Sequence, residues 1–157
     1  MKVTLIDGRS GAGKSSFARR LSADDGVRIL TMDYLYEGWD GLMAGSALLE
    51  RILVERAEGA VARWRDWDWH AYSRGRERTL EPHESLIVEG CGAMTPITVA
   101  FADRAIWLEA PEDVRRARAL ARDGDDSWWE GWKQQERIHL ERHDPRSLAT
   151  EIIDASS

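Results

Sequence analysis

Short apolar runs alternate along this chain with stretches whose apolar residues recur at helical spacing. Lys2–Ile6, Arg28–Met32, Ser85–Glu89 (SLIVE), Ala105–Glu109 (AIWLE) and Glu151–Asp154 (EIID) are brief, apolar-centred runs and read as strands. Lys14–Leu21 reads as a helix opened by a glycine-rich loop. From Ala47 to Val61 the apolar positions Leu48, Leu49, Ile52, Leu53, Ala57, Ala60 and Val61 follow a helical period. Pro111 opens a helix to about Arg122, with Glu112 and Asp113 suiting its positive end. A polar break at Asp123–Asp126 precedes another helix from about Ser127 to Arg142. Two segments follow neither period: the glycine-punctuated Gly38–Gly45, expected as a loop, and the aromatic, charged stretch Arg63–Pro82. Strands alternating with helices predict an α/β fold, a parallel sheet of roughly five strands in the middle of three layers. Ligands of such sheets sit at the carboxyl ends of the strands, so residues at those ends carry the functional reading.

Composition narrows the picture. A chain of 157 residues suits a single domain spanning 1–157. Its net charge of -6 leaves no basic excess for a nucleic-acid polymer, while still allowing a local basic site for a small phosphorylated ligand. The run Val3–Ile6 stops at Asp7 and is too short for a membrane span or a signal-peptide core. Cys91 is the single cysteine, so no internal disulfide forms, and a cytoplasmic setting is expected. Its simplest reading is a small buried hydrophobe.

The most specific signal is Gly8-Arg9-Ser10-Gly11-Ala12-Gly13-Lys14-Ser15, a full match to G-x-x-x-x-G-K-[ST] that follows a strand and opens a helix. Glycines there let successive N–H groups converge on phosphate oxygens, and the helix adds its positive end. Lys14 supplies charge to the β- and γ-phosphates, and the Ser15 hydroxyl is a ligand for Mg²⁺. The expected ligands are therefore ATP and Mg²⁺. Asp33 and Glu89 each close a predicted strand. A carboxylate at either place can hold Mg²⁺ or accept a proton from an attacking hydroxyl; equally, each can be a solvated carboxylate in a turn.

Eight tryptophans are many for this length, and Trp64, Trp67 and Trp69 form one group, Trp128, Trp129 and Trp132 another. Trp67-Asp68-Trp69 reads two ways: rings that sandwich a base or sugar while Asp68 accepts its hydrogen bonds, or rings that close the core under a loop. Arg115, Arg118 and Arg122 share one helix face, which would neutralise a transferring phosphoryl group or stand solvated against Glu112, Asp123 or Asp125. His70 reads as a surface residue, and His83, His139 and His143 show no metal-ligand spacing.

Taken together, these residues resemble the uridine kinase branch of the nucleoside and nucleotide monophosphate kinases. The loop GRSGAGKSS, through Ser16, is typical of that branch. Asp33-Tyr34-Leu35-Tyr36 stands where the family has a D-x-F-Y-like motif, and Trp39-Asp40 where it has an aromatic–Asp pair. Trp67-Asp68-Trp69 is similar to the family's Y-D-F segment, with Tyr72 in place of its histidine and Arg74 as its arginine. Glu89-Gly90 matches the E-G pair, and Arg115–Asp123 the arginine-rich lid helix. The chain departs from the family in being shorter, in lacking the R-G-R segment after the lid, and in carrying Trp where Tyr or Phe is usual. It also looks like the small kinase-like ATP-binding proteins of bacteria. The resemblance implies Asp33 as base, an acceptor segment near 34–80 with Tyr36, Asp40, Trp67, Trp69 and Arg74 around the acceptor, and a lid near 115–132 that brings Arg118 and Arg122 to the phosphates. The function implied is Mg-ATP-dependent phosphoryl transfer to a small acceptor, a nucleoside or nucleotide. Its rivals are a regulatory ATPase or switch and a module that binds nucleotide without turnover. No N-K-x-D sequence for reading guanine is present.

Overall fold

The computed structural model describes residues 2–157. Five strands form one parallel sheet: β1 (Val3–Gly8), β2 (Arg28–Thr31), β5 (Leu86–Glu89), β6 (Arg104–Glu109) and β7 (Glu151–Asp154), in the spatial order β2-β5-β1-β6-β7. Every pair in it is parallel. The five expected strands are all present, and the fold is the α/β three-layer arrangement that their pattern predicts. β1 lies at the centre and is buried along nearly its whole length, which is why it reads as a continuous apolar run rather than an alternation.

Helices cover both faces. On one side α1 (Lys14–Asp25) lays Phe17, Ala18 and Leu21 on Ile6, Ile87, Ile106 and Leu108. On the other, α2 (Leu42–Ala57) and α5 (Trp129–His143) enclose the larger core around Leu5, Met32, Leu49, Ile52, Val88 and Trp107. α4 (Glu112–Asp123) follows β6 and ends at Gly124, whose φ of 73° is the left-handed conformation glycine adopts without penalty. Two one-turn helices, α3 (Pro96–Val99) and α6 (Pro145–Leu148), complete the connections. No helix among the described residues is long and apolar enough to cross a membrane.

The structure corrects two expectations. Gly38–Gly45 is only partly a loop: a single turn covers Gly38–Asp40, and α2 starts at Leu42, well before Ala47. Gly45 is needed inside that helix, because a Cβ there would lie 2.7 Å from the Tyr36 ring. The stretch Arg63–Pro82 holds an antiparallel hairpin of β3 (Ala62–Asp68) and β4 (Ser73–Leu80). β3 does alternate, with Ala62, Trp64 and Asp66 inward and Arg63 and Arg65 outward. The alternation is masked because one inward residue is a carboxylate. Asp66 is buried by accepting bonds from Trp64 Nε1 (3.0 Å) and Arg78 Nε (2.6 Å), so its desolvation is offset by pairing.

Candidate active site

The Gly8–Ser15 loop joins β1 to α1 at the carboxyl edge of the sheet. Gly13 caps the helix in a left-handed conformation (φ 93°), and Phe17 is the residue whose N–H first bonds back, to Gly13 at 3.0 Å. The N–H groups of Lys14, Ser15 and Ser16 therefore lack intrahelical acceptors, as an anion site at a helix start requires. Gly11 (φ 82°) admits no side chain, since a Cβ would lie 2.1 Å from the Arg115 carbonyl oxygen. Arg9, Ser10 and Ala12 complete the turn, with the Ala12 N–H donating to the Arg9 carbonyl at 3.1 Å.

Lys14 is buried rather than solvent-facing, and its Nζ donates to the Arg9 carbonyl at 3.0 Å. Burial opposes its charge, but the carboxylates around it, Glu89, Glu136 and Asp7, help to outweigh that cost and hold its pKa above the usual lysine value. The Ser15 hydroxyl donates to Glu89 Oε1 at 3.1 Å, so these two proposed Mg²⁺ partners are adjacent. Desolvation pushes the Glu89 pKa up, partly offset by Lys14. A hydroxyl and a carboxylate beside a phosphate cradle are hard oxygen donors, which fits Mg²⁺.

Asp33 lies just beyond β2, in a single turn over Met32–Tyr34, two residues later than a strand end. The residue is exposed, and the charges nearest its carboxylate in effect are Lys14, Arg122 and Asp123. Desolvation by the surrounding walls raises its pKa, with Lys14 and Arg122 pulling the other way. Asp33 thus shares one electrostatic neighbourhood with the loop lysine, Glu89 and the last arginine of α4.

The arginine face of α4 does not act as one stripe. Arg115 is buried, donating to the carbonyls of Ala110 (2.9 Å) and Ser10 (3.3 Å). Arg118 donates to the carbonyls of Gly11 (3.2 Å) and Ala155 (2.6 Å). Both guanidiniums brace the phosphate loop from outside; this corrects the reading of Arg118 as a free lid charge. Arg122 alone faces the Asp33 side, paired with Asp123 through two bonds at 2.8 and 2.9 Å.

The expected acceptor residues separate similarly. Trp69 donates its Nε1 to the Asp33 carbonyl at 2.8 Å, and its ring meets Trp39 edge-on with centroids 5.0 Å apart. Asp40 lines a cavity of about 320 Å³ with Trp39, Ser127, Trp128, Gly131 and Trp132. Tyr36 is buried behind it, its hydroxyl committed to the Cys91 carbonyl at 2.6 Å, and burial lifts its pKa well above the ordinary phenol value. Asp68, Arg74 and Trp67 are instead engaged within the hairpin. Asp68 accepts the N–H groups of His70 and Ala71, both at 2.9 Å, to form the turn. Arg74 ties the hairpin to the Leu35 carbonyl (3.2 Å) and to Glu37 (3.0 Å), and Trp67 packs against Tyr72 and Arg74.

Sequence reasoning missed a buried polar layer beneath the loop. Asp7 is the fifth residue of β1, not its stop, and it is 1% exposed. It accepts from the N–H groups of Gly8 (2.7 Å), Gly92 (3.2 Å) and Met94 (3.0 Å), and its Oδ2 lies 3.0 Å from His139 Nε2. Glu136, one helical turn before His139, accepts from the Ser10 N–H at 2.6 Å and Arg9 Nε at 3.2 Å. The Cys91 thiol donates to the Gly8 carbonyl at 3.1 Å and approaches Glu136 at 3.3 Å. Burial pushes this thiol up to about 12, so it is an uncharged packing group at neutral pH. The Glu136/His139 spacing on α5 was the one available signal, and nothing local linked it to the loop.

The AAA domain family model matches residues 5–142. No curated protein sequence matches the chain. Among solved structures, the chain is similar to a possible uridine kinase from Bacillus stearothermophilus (20% identity, TM-score 0.63, covering 98% of this chain and 88% of that one). It is also similar to shikimate kinase from Acinetobacter baumannii in complex with shikimate (19%, TM-score 0.59, 100% and 85%). A third is a gluconokinase from Sinorhizobium meliloti 1021 (20%, TM-score 0.53, 99% and 83%). At these identities the likeness shows the fold.

Proposed function

The chain belongs to the AAA domain family, and on that premise we propose that it is a Mg-ATP-dependent kinase transferring the terminal phosphoryl group to the hydroxyl of a small acceptor. The observation that carries this reading is Asp33, an exposed carboxylate within the electrostatic reach of Lys14 and Arg122, with Trp69 bridging from its backbone carbonyl to Trp39 of the Trp39–Asp40 cavity. A switch ATPase has no need of such a cavity. The solved structures named as possible uridine kinase, shikimate kinase and gluconokinase share the fold and support a phosphotransferase. The uridine kinase resemblance implies a nucleoside or nucleotide, but three different acceptors on one scaffold mean that the fold does not name it.

In this reading the loop N–H groups and Lys14 hold the nucleotide phosphates, and Arg115 and Arg118 keep the loop in shape. Ser15 and Glu89 would hold Mg²⁺, which would neutralise phosphate charge when bound. Asp33 takes the proton of the acceptor hydroxyl while that oxygen bonds to the terminal phosphorus. The bond to the bridging oxygen breaks, ADP leaves with its electron pair, and a phosphomonoester remains. Arg122 turns from Asp123 to the transferring group. The test is ADP release from Mg-ATP with a panel of nucleosides, nucleotides, sugars and amino alcohols, wild type against Lys14→Ala. Acceptor-dependent release that vanishes in the mutant supports the kinase. Slow hydrolysis indifferent to every acceptor would establish the ATPase reading instead.

A further inference from the structure

The cavity beside Asp33 has walls of an unusual kind. Trp39 is 46% exposed and stacks nearly parallel on Trp128, with centroids 5.4 Å apart and planes at 18°. That contact leaves no slot between the two rings for a flat base. Trp132 stands across Trp39 at 84° with centroids 6.3 Å apart, and Trp69 at 60°. The rings thus form a corner of faces and edges rather than a sandwich. Gln135 holds it in place, donating to the Trp39 carbonyl and accepting the Leu42 N–H at 3.0 Å.

The polar side chains lining this cavity are Asp40 and Ser127, and among the described residues no Lys, Arg or His lines it. Among the described residues Asp40 also forms no ion pair. The neighbouring cations are already neutralised: Arg122 by Asp123, Arg116 by Asp126, and Arg74 by Glu37. Arg122 nevertheless lies over Trp128 at 6.0 Å, so the aromatic corner already attracts a cation from within the chain. An acceptor carrying a carboxylate or phosphate would enter a site offering it a carboxylate and the negative faces of indole rings. A nucleobase would find the Ser127 hydroxyl already donating to Asp125 at 2.7 Å and only indole N–H groups as further side-chain donors for its carbonyl oxygens. A positive group satisfies both components, since indole faces and a free carboxylate each stabilise it.

We propose that the acceptor is an organic cation, an ammonium-bearing alcohol whose positive group sits against Trp39, Trp128 and Trp132 with Asp40 as counter-charge. Its hydroxyl extends toward Asp33. The hydroxyl half of this assignment rests on the phosphotransferase reading; the cation half rests on the cavity alone.

The two halves are tested separately. Binding without nucleotide is followed by tryptophan fluorescence and calorimetry, using choline against its neutral isostere dimethylbutanol, glucosamine against glucose, and uridine and gluconate as neutral-ring and anionic probes. The cationic member of each pair should bind on the order of tenfold or more tightly than its neutral twin. Asp40→Asn, at an exposed position that does not disturb folding, should erase most of that preference while leaving the neutral twin unchanged. Trp128→Ala should weaken cation binding, and Trp128→Phe should restore part of it. Neutral twins or uridine binding as tightly as the cations, or Asp40→Asn weakening both alike, would overturn the assignment. ADP release in the same panel then separates the claims. Phosphorylation only of uridine or gluconate keeps the kinase and discards the cation. Cation binding through Asp40 without ADP release keeps the cation site and discards the kinase.

Discussion

Replacing Glu136 by alanine should damage the phosphate loop from below. The carboxylate is 3% exposed and accepts two bonds from consecutive loop residues, the Ser10 N–H at 2.6 Å and Arg9 Nε at 3.2 Å. A hydrogen bond to an ionised partner contributes about 1.5–3 kcal/mol, and a buried donor left without an acceptor costs a similar amount. The Ser10 bond is short and enclosed, so it sets the scale at about 2–3 kcal/mol. Arg9 is 25% exposed at its side chain and can turn to water, so losing its pair adds about 1 kcal/mol at most. The sum of about 3 kcal/mol corresponds to a fall in Tm of about 10 °C for a chain this size. Binding of an ATP analogue should weaken on the order of tenfold, because ligand energy must then order the loop. Glu136→Gln keeps an acceptor for Ser10 and should lose less than half as much in each measurement. Differential scanning calorimetry and isothermal titration with a non-hydrolysable analogue read the two effects. An alanine variant with wild-type Tm and affinity would refute the idea that this carboxylate holds the loop.

Asp33→Asn should lower turnover by about 10²–10⁴-fold, as loss of a general base does, with nucleotide affinity little changed. A carboxylate whose folded pKa is raised binds its proton more tightly folded than unfolded, so its ionisation weakens the fold as pH climbs from the ordinary carboxylate range through the raised value. The asparagine variant should therefore melt no lower than wild type at neutral pH, and slightly higher once both states would otherwise be ionised; a lower Tm would contradict the strained carboxylate. Wild-type kcat should fall as pH drops through that raised value, measured with a saturating acceptor. Glu89→Gln should raise the Mg²⁺ concentration needed for half-maximal rate by about 10–100-fold, the range seen when a group that holds or orients a metal is lost; an unchanged Mg²⁺ dependence would remove Glu89 from the metal. Arg122→Ala should reduce turnover far more than ATP affinity, and Arg122→Lys should recover only part, since lysine lacks the planar fork. If Arg122 is only the partner of Asp123, an exposed pair worth about 1 kcal/mol or less, turnover will be normal and Tm barely shifted.

What the chain's order of residues determined by itself is local. The central strands β1, β5 and β6 were legible because a buried strand needs an uninterrupted apolar run, the edge strands β2 and β7 from shorter apolar cores, and the phosphate loop because its backbone geometry is written in closely spaced glycines ending at Lys14 and Ser15. The first helix, expected to stop at Leu21, runs on to Asp25 and ends at the left-handed Gly26, as α4 ends at Gly124. Tertiary structure decided which charges are free. Arg115, Arg118 and Arg122 look equivalent on a helical wheel, yet two are spent on carbonyls of the loop and its neighbours, and only packing of α4 against that loop distinguishes them. The hairpin escaped notice because burying Asp66 depends on Arg78, twelve residues away on the facing strand. Glu136 meets the loop across 126 residues, and Trp39 meets Trp128 only after α5 docks on the turn before α2. Such contacts leave no local period, because their energy comes from pairing groups that the folded chain brings together and the extended chain keeps far apart.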